Sequence, residues 1–257
     1  MAALALVLVL VLVMLSNSAA GAVTGDLAQP GNKEIAMELV SSAENSTLDW
    51  RAQYRYIEDI GDGRGYTAGI IGFTSGTGDM LELVQAYVRA RHHNPLEPFL
   101  AALRRVNGTS SHAGLGSGFV AAWQQAARDP RFRRAQNQER DRVYFNPSVR
   151  LARSDGLGLL GQFAYYDACV VHGYDGLNAI RRRALRRAAT PAAGGRETAY
   201  LGAFLDQRVV EMKKEAAHSD VSRIQTEQRW FLRAGSLDLH LPLRWRTYGD
   251  RYSITRP

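Results

Sequence analysis

A glycine-rich segment early in the chain most constrains what this protein can fold into. Residues 61–78 hold seven glycines, with the apolar residues Ile70, Ile71 and Phe73 between them. Each glycine destabilises a helix interior by about 1 kcal/mol relative to alanine, so a stable helix is excluded here. Glycines alternating with apolar residues are typical of tight turns between short strands. The segment therefore predicts a short hairpin or an irregular β-ribbon.

Helical periodicity dominates the chain on both sides of that ribbon. Residues 33–44 place Ile35 and Leu39 one turn apart, with Asn32 as a candidate N-cap. The tail 235–257 shows no regular pattern and is predicted to be irregular. The sequence thus predicts a mainly α fold of the α+β class. Further helices are predicted over residues 79–91, 96–106, 119–127, 130–142, 147–172, 176–189, 196–217 and 221–233.

The first two dozen residues indicate a targeting segment. Residues 2–15 are apolar without a break, and this run is shorter than the roughly 20 residues that span a bilayer as a helix. Small residues follow, and Ala20-Gly21-Ala22 fits a cleavage site. We expect a signal peptide over residues 1–22, with a buried apolar strand as the alternative. The rest is long enough to bury one core, or to form two lobes around a cleft.

The net charge of +7 is distributed unevenly along the chain. Residues 32–82 carry nine acidic and four basic side chains, a local charge of −5, whereas residues 83–257 carry 28 basic and 15 acidic ones, a local +13. An acidic island on a basic body fits a cationic ligand better than a nucleic acid. Five arginines also predict a solvated helix side, with contact to an anionic surface as the alternative: Arg181, Arg182, Arg183, Arg186 and Arg187.

Several site types find no support in the sequence. The six histidines form no HExxH motif and no Cys/His ligand set, which argues against a metal centre. The single Cys169 excludes an intramolecular disulfide, and its apolar surroundings predict a buried thiol. The segment GDGRGYTAG is a loose dinucleotide-binding match, but no predicted strand feeds a crossover helix there. We therefore expect no cofactor.

Two carboxylates lie in unusual contexts 18 residues apart. Glu44 ends the first predicted helix, and Asp62 lies in the glycine-flanked loop IEDIGDGRGYT. Such a pair could hold an acid and a base across a glycosidic bond, although any protein of this size contains many carboxylate pairs. Asp167, Arg208 and Arg223 lie in mostly apolar helical segments. They need charged partners if they are buried, with surface exposure as the alternative.

The sequence around these residues resembles the chitosanases of glycoside hydrolase family 46. The segment SSAENSTLDWRAQYRYIEDIGDGRGYTAGIIGF is similar to the catalytic segment of that family. The likeness covers nearly all of the chain after the predicted signal peptide. It implies a lysozyme-like fold, with two helical lobes around a substrate cleft, and a single catalytic domain over residues 23–257. The resemblance continues through SGTGDMLELV, QNQERDRVYF, GQFAYYDA, TEQRWFLRAG and LRWRTYGD.

The resemblance also implies roles for individual residues. Glu44 matches the general acid of the family, Asp62 the general base, and Thr67 the residue that helps to position the attacking water. It implies three substrate-binding side chains: Arg64, Asp79 and Tyr56. It further implies an internal ion network that supports Glu44 and consists of Arg223, Asp167 and Arg208.

We therefore expect a secreted, endo-acting chitosanase that hydrolyses β-1,4 links between glucosamine units by an inverting acid/base mechanism. Its expected partner is chitosan, a cationic polysaccharide. No nucleic-acid partner, no membrane contact of the mature form and a monomeric state are expected. The alternatives are a muramidase-like glycosidase on cell-wall polysaccharide and a noncatalytic polysaccharide-binding module. The acidic island argues against the first, and the intact catalytic residues argue against the second.

Overall fold

The computed structural model describes residues 25–214 and 220–256, so the predicted signal peptide lies outside the described residues. Within those two ranges, no helix is both long and apolar enough to cross a membrane. Short 3₁₀ helices lie at Trp50–Arg55, Glu97–Phe99 and Pro191–Ala193, and π-helical turns at Asp141–Phe145 and Arg223–Gln228. The α-helices, α1 to α9 in order, are Pro30–Glu44, Asp79–Ala90, Leu100–Val106, Ser117–Ala126, Pro130–Arg140, Asn146–Ser154, Leu159–Leu185, Glu197–Met212 and Arg229–Arg233.

Two small antiparallel sheets complete the described fold. Strands β1 (Ile57–Asp59), β2 (Tyr66–Ala68) and β3 (Phe73–Thr74) pair in chain order, with Thr67 opposite both Glu58 and Thr74. Strands β4 (Leu243–Thr247) and β5 (Asp250–Ile254) form a separate hairpin. The expected mainly helical class with an early β-ribbon is confirmed, although β1 begins before the glycine-rich segment.

Helix α1 begins three residues earlier than its apolar pattern predicts. Pro30 occupies the first turn after the N-cap Gln29, a position where its missing N–H costs nothing. Asn32 therefore lies inside the helix, and its side chain donates a hydrogen bond of 3.0 Å to the carbonyl of Asp26. The helix ends at Glu44, so this carboxylate lies at the C-terminal end of a largely buried helix.

Helix α7 forms the centre of the core, with α6 and α8 packed along it. Its first half is buried from Leu159 to Cys169, and burial raises the pKa of the Cys169 thiol to about 12, as expected for an unreactive cysteine. The backbone leaves the helical conformation at Gly173 (φ 67°), between the predicted helices 147–172 and 176–189. The first of these is itself interrupted after Ser154.

Only three of the five arginines that were predicted to be solvated, near the end of α7, are exposed. Arg181 donates hydrogen bonds of 2.7 and 2.5 Å to the buried carboxylate of Asp155. Arg183 forms an ion pair with Glu211 on α8. The three remaining arginines are exposed: Arg182, Arg186 and Arg187.

The tail is irregular only in part. Residues 235–242 form no helix or strand, but β4 and β5 form a hairpin, so the prediction is wrong for that part. Residues 243–247 alternate between buried and exposed positions. Tyr248 (φ 51°) and Gly249 (φ 88°) form the two-residue loop, and positive φ at both positions is what a type I′ turn requires. Trp245 faces inward, and its indole nitrogen donates a hydrogen bond of 3.1 Å to the Ser42 hydroxyl on α1. The hairpin thereby braces the end of the helix that carries Glu44.

Candidate active site

A cleft of about 530 Å³ brings most of the expected site residues together. The end of α1, the β1–β3 sheet, the middle of α7 and the β4–β5 turn surround it. Asp167 and Arg208 do not line the cleft, and lie buried behind it. Seven of the residues singled out from the sequence line it: Glu44, Tyr56, Asp62, Arg64, Thr67, Asp79 and Arg223.

Glu44 lies at an electrostatically unfavourable place that Arg223 compensates. A carboxylate at a helix C-terminus faces the negative end of the helix dipole. Arg223 Nη1 lies 2.7 Å from Glu44 Oε1 and donates a hydrogen bond to it. About 26% of the Glu44 side chain remains exposed to the cleft. Glu44 is therefore held in one orientation while one side stays open to a ligand.

Behind Glu44, a buried ion network continues from Arg223 into the core. Arg223 Nη2 donates to Asp167 Oδ1 at 2.6 Å, and Arg208 Nη1 and Gln228 Nε2 donate to Asp167 Oδ2 at 2.8 and 2.7 Å. Burial pushes the pKa of Asp167 upward, but the charges of Arg223 and Arg208 outweigh it and hold the pKa at about 2. The three charges singled out from the sequence thus have one another as partners.

Glu227 is a buried acid of this region that the sequence reading missed. It is fully buried on the π-helical turn, and it accepts a hydrogen bond of 3.2 Å from the Thr247 hydroxyl on β4. Burial, and then the nearby Asp167, raise the pKa of Glu227 well above its usual value. Burial therefore disfavours the charged form of Glu227 in a network that already holds the carboxylate of Asp167. The sequence contains one indication of this residue. Glu227 lies four residues after Arg223, so the two side chains are predicted to share a helix face.

Asp62 lies on the loop between β1 and β2, where Arg64 fixes its carboxylate. The backbone N–H of Arg64 donates to Asp62 Oδ1 at 3.0 Å, and its guanidinium contacts Oδ2 at 2.8 Å through Nε and 2.6 Å through Nη2. Gly76 anchors the loop by donating its N–H to the Arg64 carbonyl at 2.9 Å. A Cβ at Gly76 would lie 2.7 Å from that carbonyl oxygen and 2.4 Å from that of Thr109, so only glycine permits this approach.

Thr67 offers the cleft an unused hydroxyl. It lies on β2, the strand that directly follows the Asp62 loop, and it lines the cleft. Its Oγ1 is buried and has no hydrogen-bond partner within residues 25–214 and 220–256. Leaving a buried hydroxyl unpaired costs about 1–3 kcal/mol, so this atom favours a partner that enters with the substrate.

Asp79 begins α2 and is held by four hydrogen bonds. Its Oδ1 accepts from the backbone N–H groups of Thr74 and Met80, at 3.0 and 2.9 Å, and from the Thr77 hydroxyl at 2.9 Å. Its Oδ2 accepts from the hydroxyl of Tyr144 at 3.2 Å. Burial raises the pKa of Asp79 above its usual value. Tyr144 is a cleft residue that the sequence reading missed, because nothing local distinguishes it from a core tyrosine.

Aromatic and aliphatic side chains form the rim of the cleft. Tyr56 precedes β1, and its hydroxyl donates to Glu58 at 3.3 Å. Ile60 and Tyr248 also line the cleft, and both are largely exposed for residues of their size. Tyr248 was missed because it lies in the turn of the unexpected hairpin, where its N–H donates to the Ser222 hydroxyl at 2.9 Å. Such rings provide flat apolar surfaces suited to sugar rings.

The charges of the cleft indicate the chemistry that it can perform. Its two arginines are each paired, Arg223 with Glu44 and Arg64 with Asp62, whereas Asp79 has no cationic partner among the described residues. Across the described part of the chain, no three His, Cys, Asp or Glu side chains gather into a metal-binding group. One carboxylate on a rigid helix end and another on a loop across a cleft are suited to acid/base hydrolysis.

Comparisons with known proteins agree with this geometry. A curated chitosanase of Streptomyces sp. (strain N174) is 62% identical over 232 residues, which cover 89% of this chain and 84% of that protein. The chitosanase of Bacillus subtilis (strain 168) is 34% identical over 234 residues, covering 88% and 80% of the two chains.

Solved structures give the same result. A chitosanase complex structure superimposes with a TM-score of 0.88 at 58% identity, over 90% of this chain and 99% of that one. A chitosanase of Gynuella sunshinyii in complex with chitotetraose gives a TM-score of 0.82 at 34% identity, over 88% and 98% of the chains. The model of Glycosyl hydrolase family 46 matches residues 38–243. This protein therefore belongs to Glycosyl hydrolase family 46, and it has the lysozyme-like fold that the resemblance implied.

Proposed function

We propose that this protein is an endo-acting chitosanase that hydrolyses β-1,4 links between glucosamine units by an inverting mechanism. Its relatives are chitosanases, and one of the similar solved chitosanases is a complex with chitotetraose. The observation within this chain that carries the proposal is Asp79, a cleft carboxylate without a cationic partner among the described residues. The ammonium group of glucosamine complements such a site, and a neutral N-acetyl group does not.

Glu44 acts as the general acid in this mechanism. It donates its proton to the glycosidic oxygen as the bond to the leaving sugar breaks, and it becomes a carboxylate. Arg223 Nη1, 2.7 Å from Glu44 Oε1, stabilises that developing anion. Asp167 and Arg208 hold Arg223 from behind and do not touch the substrate. They are positioning residues.

Asp62 acts as the general base, and Thr67 positions the water. An ionised carboxylate has about four acceptor sites, and the three contacts from Arg64 leave one of them, on Oδ1, for a water molecule. The unpaired Thr67 hydroxyl supplies the second contact that fixes that water. The water attacks the anomeric carbon on the face opposite the leaving group. We expect the Glu44 and Asp62 carboxyls to lie roughly 6.5–9.5 Å apart once substrate is bound.

Substrate binding depends on the remaining cleft residues. Asp79 holds a glucosamine ammonium through Oδ2, the oxygen with fewer partners. Tyr56 provides a ring surface and a hydroxyl at the rim, and Arg64 provides donors beside the base. The peptide-bearing, N-acetylated substrate of a muramidase-like enzyme would leave Asp79 without its counter-charge, which argues against that alternative.

The proposal also covers export and assembly. Residues 1–22 act as a signal peptide that is removed, and residues 23–257 work outside the cell as a single catalytic domain of two lobes. The mature protein works as a monomer without cofactor, membrane attachment or nucleic acid. N-terminal sequencing of secreted protein should find a start near residues 21–23. A secreted form that begins at Met1 would contradict the signal peptide.

A reducing-sugar assay on chitosan, chitin and peptidoglycan tests the activity. Chitosan should be hydrolysed fastest, and Glu44→Gln and Asp62→Asn should each lower its turnover by about 10²–10⁴-fold while their circular dichroism spectra stay those of the folded wild type. Asp59→Asn is the matched control, because Asp59 lies three residues from Asp62 but does not line the cleft. Faster release from peptidoglycan would favour the muramidase-like alternative. Chitosan binding without hydrolysis by the wild type would favour the noncatalytic module.

A further inference from the structure

A second groove, of about 600 Å³, lies between the β4–β5 hairpin and the helical segment formed by the π-helical turn and α9. None of its lining residues lines the catalytic cleft. Among the described residues, four arginines and no acidic residue line it, so we call it the arginine groove, defined by Arg233, Arg244, Arg246 and Arg251.

The arginines of the hairpin are held against one another by the strand register. Arg246 lies directly opposite Arg251, one residue pair from the turn, and Arg244 lies opposite Ser253 on the same face. Since Thr247 and Asp250 flank the two-residue loop, Arg246 and Arg251 occupy the position where opposite side chains come closest. Like charges at such a position destabilise a sheet.

No carboxylate within residues 25–214 and 220–256 forms an ion pair that would relieve this repulsion. None of the four arginines forms an ion pair with an acid within the two described ranges, and all four are exposed. The nearby Arg229 differs, because it pairs with Asp206 at 2.7 Å. A cluster of unpaired guanidinium groups on a rigid hairpin is therefore available to an external anion, and its planar donors suit carboxylate, sulfate or phosphate groups.

An exposed aromatic ring lies beside these charges. Trp230 on α9 lines the arginine groove and is 54% exposed, the highest value among the exposed large hydrophobic side chains of the described residues. Hydroxyl and amide groups also line it, from Gln225, Thr226 and Ser253. A flat ring with neighbouring hydrogen-bonding groups is suited to a sugar ring. The groove thus offers arginines to the anionic group of an acidic sugar and an aromatic ring to its sugar ring.

We propose that the arginine groove binds a segment of an acidic polysaccharide, a sugar polymer that carries carboxylate, sulfate or phosphate groups. It is not a subsite for chitosan, because four unpaired arginines repel a polycation. Of the three aromatic residues that line the groove, Trp230 is exposed, whereas Trp245 is buried and Tyr252 is half-buried. One exposed ring argues against single-stranded nucleic acid, whose sites stack successive bases on several aromatic rings. The volume lies in the range of small-ligand pockets, which fits a few sugar units. The enzyme would thereby be held on an anionic matrix while its cleft works on a cationic polymer.

Titration calorimetry with the full-length mature protein tests this proposal. The probes are heparin oligosaccharides for sulfate groups and oligogalacturonate for carboxylates, with neutral dextran and single-stranded DNA for comparison. The triple variant Arg244→Gln, Arg246→Gln, Arg251→Gln should lose at least about tenfold in affinity for the acidic oligosaccharides. Trp230→Ala should weaken them by several-fold independently. Both variants should keep the wild-type rate on chitosan, which verifies that they fold.

The matched control is Arg182→Gln, Arg186→Gln, Arg187→Gln, which removes the same charge from exposed arginines at the end of α7. It should retain acidic oligosaccharide affinity within about twofold. An equal loss in this control would mean that net charge alone binds polyanions and would overturn the site. Absence of binding by the wild type would do the same. Tighter binding of single-stranded DNA with the same dependence on Trp230 would overturn the glycan assignment.

Discussion

Replacing Arg223 with alanine tests whether the buried ion network holds the cleft together. Arg223 bridges Glu44 at 2.7 Å and Asp167 at 2.6 Å from a buried position. Glu44 is partly exposed, so water can replace part of its lost contact. Asp167 is only 1% exposed and has no access to water, so it carries most of the cost of the substitution.

The magnitude follows from the partners that Asp167 keeps. Breaking a buried ion pair by removing one partner costs about 3–5 kcal/mol. Arg208 and Gln228 still donate to Asp167 Oδ2 after the substitution, at 2.8 and 2.7 Å, so the lower end of that range applies. A protein of this size loses about 2–4 °C in melting temperature per kcal/mol. We therefore expect Arg223→Ala to melt about 6–12 °C below the wild type.

The assay compares thermal unfolding followed by circular dichroism at pH 7 with initial rates on chitosan well below both melting temperatures. Arg223→Ala should also lower kcat, since Glu44 loses the group that stabilises its anion. Arg223→Lys should be intermediate, because one ammonium cannot present two fixed donors to two carboxylates. Arg153→Ala is the control. Arg153 pairs with Asp26 at 2.9 Å on the surface, where such pairs contribute about 0–1 kcal/mol.

Two results would refute this reasoning. A melting temperature of Arg223→Ala equal to that of the Arg153→Ala control would mean that the network does not stabilise the fold. A clear drop in melting temperature with an unchanged kcat would mean that Arg223 supports the core but not the acid. The pH dependence provides a further check. The lowered pKa of Asp167, about 2, contributes stability that is present above its unfolded pKa of about 3.8 and is lost as the pH falls through about 2. Arg223→Ala should lose part of that contribution.

Three further predictions concern charge and stereochemistry. The raised pKa of Glu227, caused by burial and then by Asp167, should lower the stability of the fold as the pH rises above about 4.5. Glu227→Gln should therefore melt at a higher temperature than the wild type at pH 8 and at the same temperature at pH 4. A lower melting temperature of the variant at pH 8 would contradict the raised pKa of Glu227. Asp79→Asn should raise KM for chitosan about tenfold and change kcat less. Because burial raises the pKa of Asp79, the KM of the wild type should rise as the pH falls toward that pKa. A KM of the variant with the same pH dependence would contradict the role of Asp79 in binding the ammonium group. Proton NMR of fresh product should show the α-anomer first, and an initial β-anomer would overturn inversion and the roles of Asp62 and Thr67.

The elements that the sequence could predict are those with local signals. The glycine-rich segment 61–78 and the helical repeat of α1 each depend on neighbours within a few residues, and both appear in the structure. The ends of helices were predicted less accurately. Helix α1 begins at Pro30, because proline is favoured at the first helical position, and the apolar pattern of the helix does not show this preference. The β4–β5 hairpin was missed because its alternation covers five residues only, and its burial depends on distant partners such as Ser42.

The site divides in the same way. The local contexts of Glu44 and Asp62, a helix end and a glycine-flanked loop, indicated the candidate pair, but the resemblance gave it roles. Arg223 is 179 residues from Glu44 in the chain, and no local pattern predicts that contact. Tyr248 lies in the turn of the unexpected hairpin, and Glu227 accepts a hydrogen bond from β4 of that hairpin. The spacing of Glu227 from Arg223 therefore indicated a shared helix face but not these surroundings. The contacts behind the cleft join residues that are distant in sequence, so they can be identified only from the three-dimensional structure.

The structure also explains how a protein with a net charge of +7 can act on a polycation. Two acidic residues of the island are paired, Glu34 with Arg51 of the island itself and Glu82 with Arg142 outside it. Within the partly closed cleft, the carboxylate without a cationic partner among the described residues is that of Asp79. At physiological ionic strength the Debye length is about 8 Å, so solvent-exposed arginines farther away are largely screened from a sugar in the cleft. A group buried beside the substrate is screened much less. Inside the cleft, the attraction of Asp79 therefore outweighs the charge of the rest of the protein. The hairpin arginines, which have no acidic partner among the described residues, remain available to a partner of opposite charge.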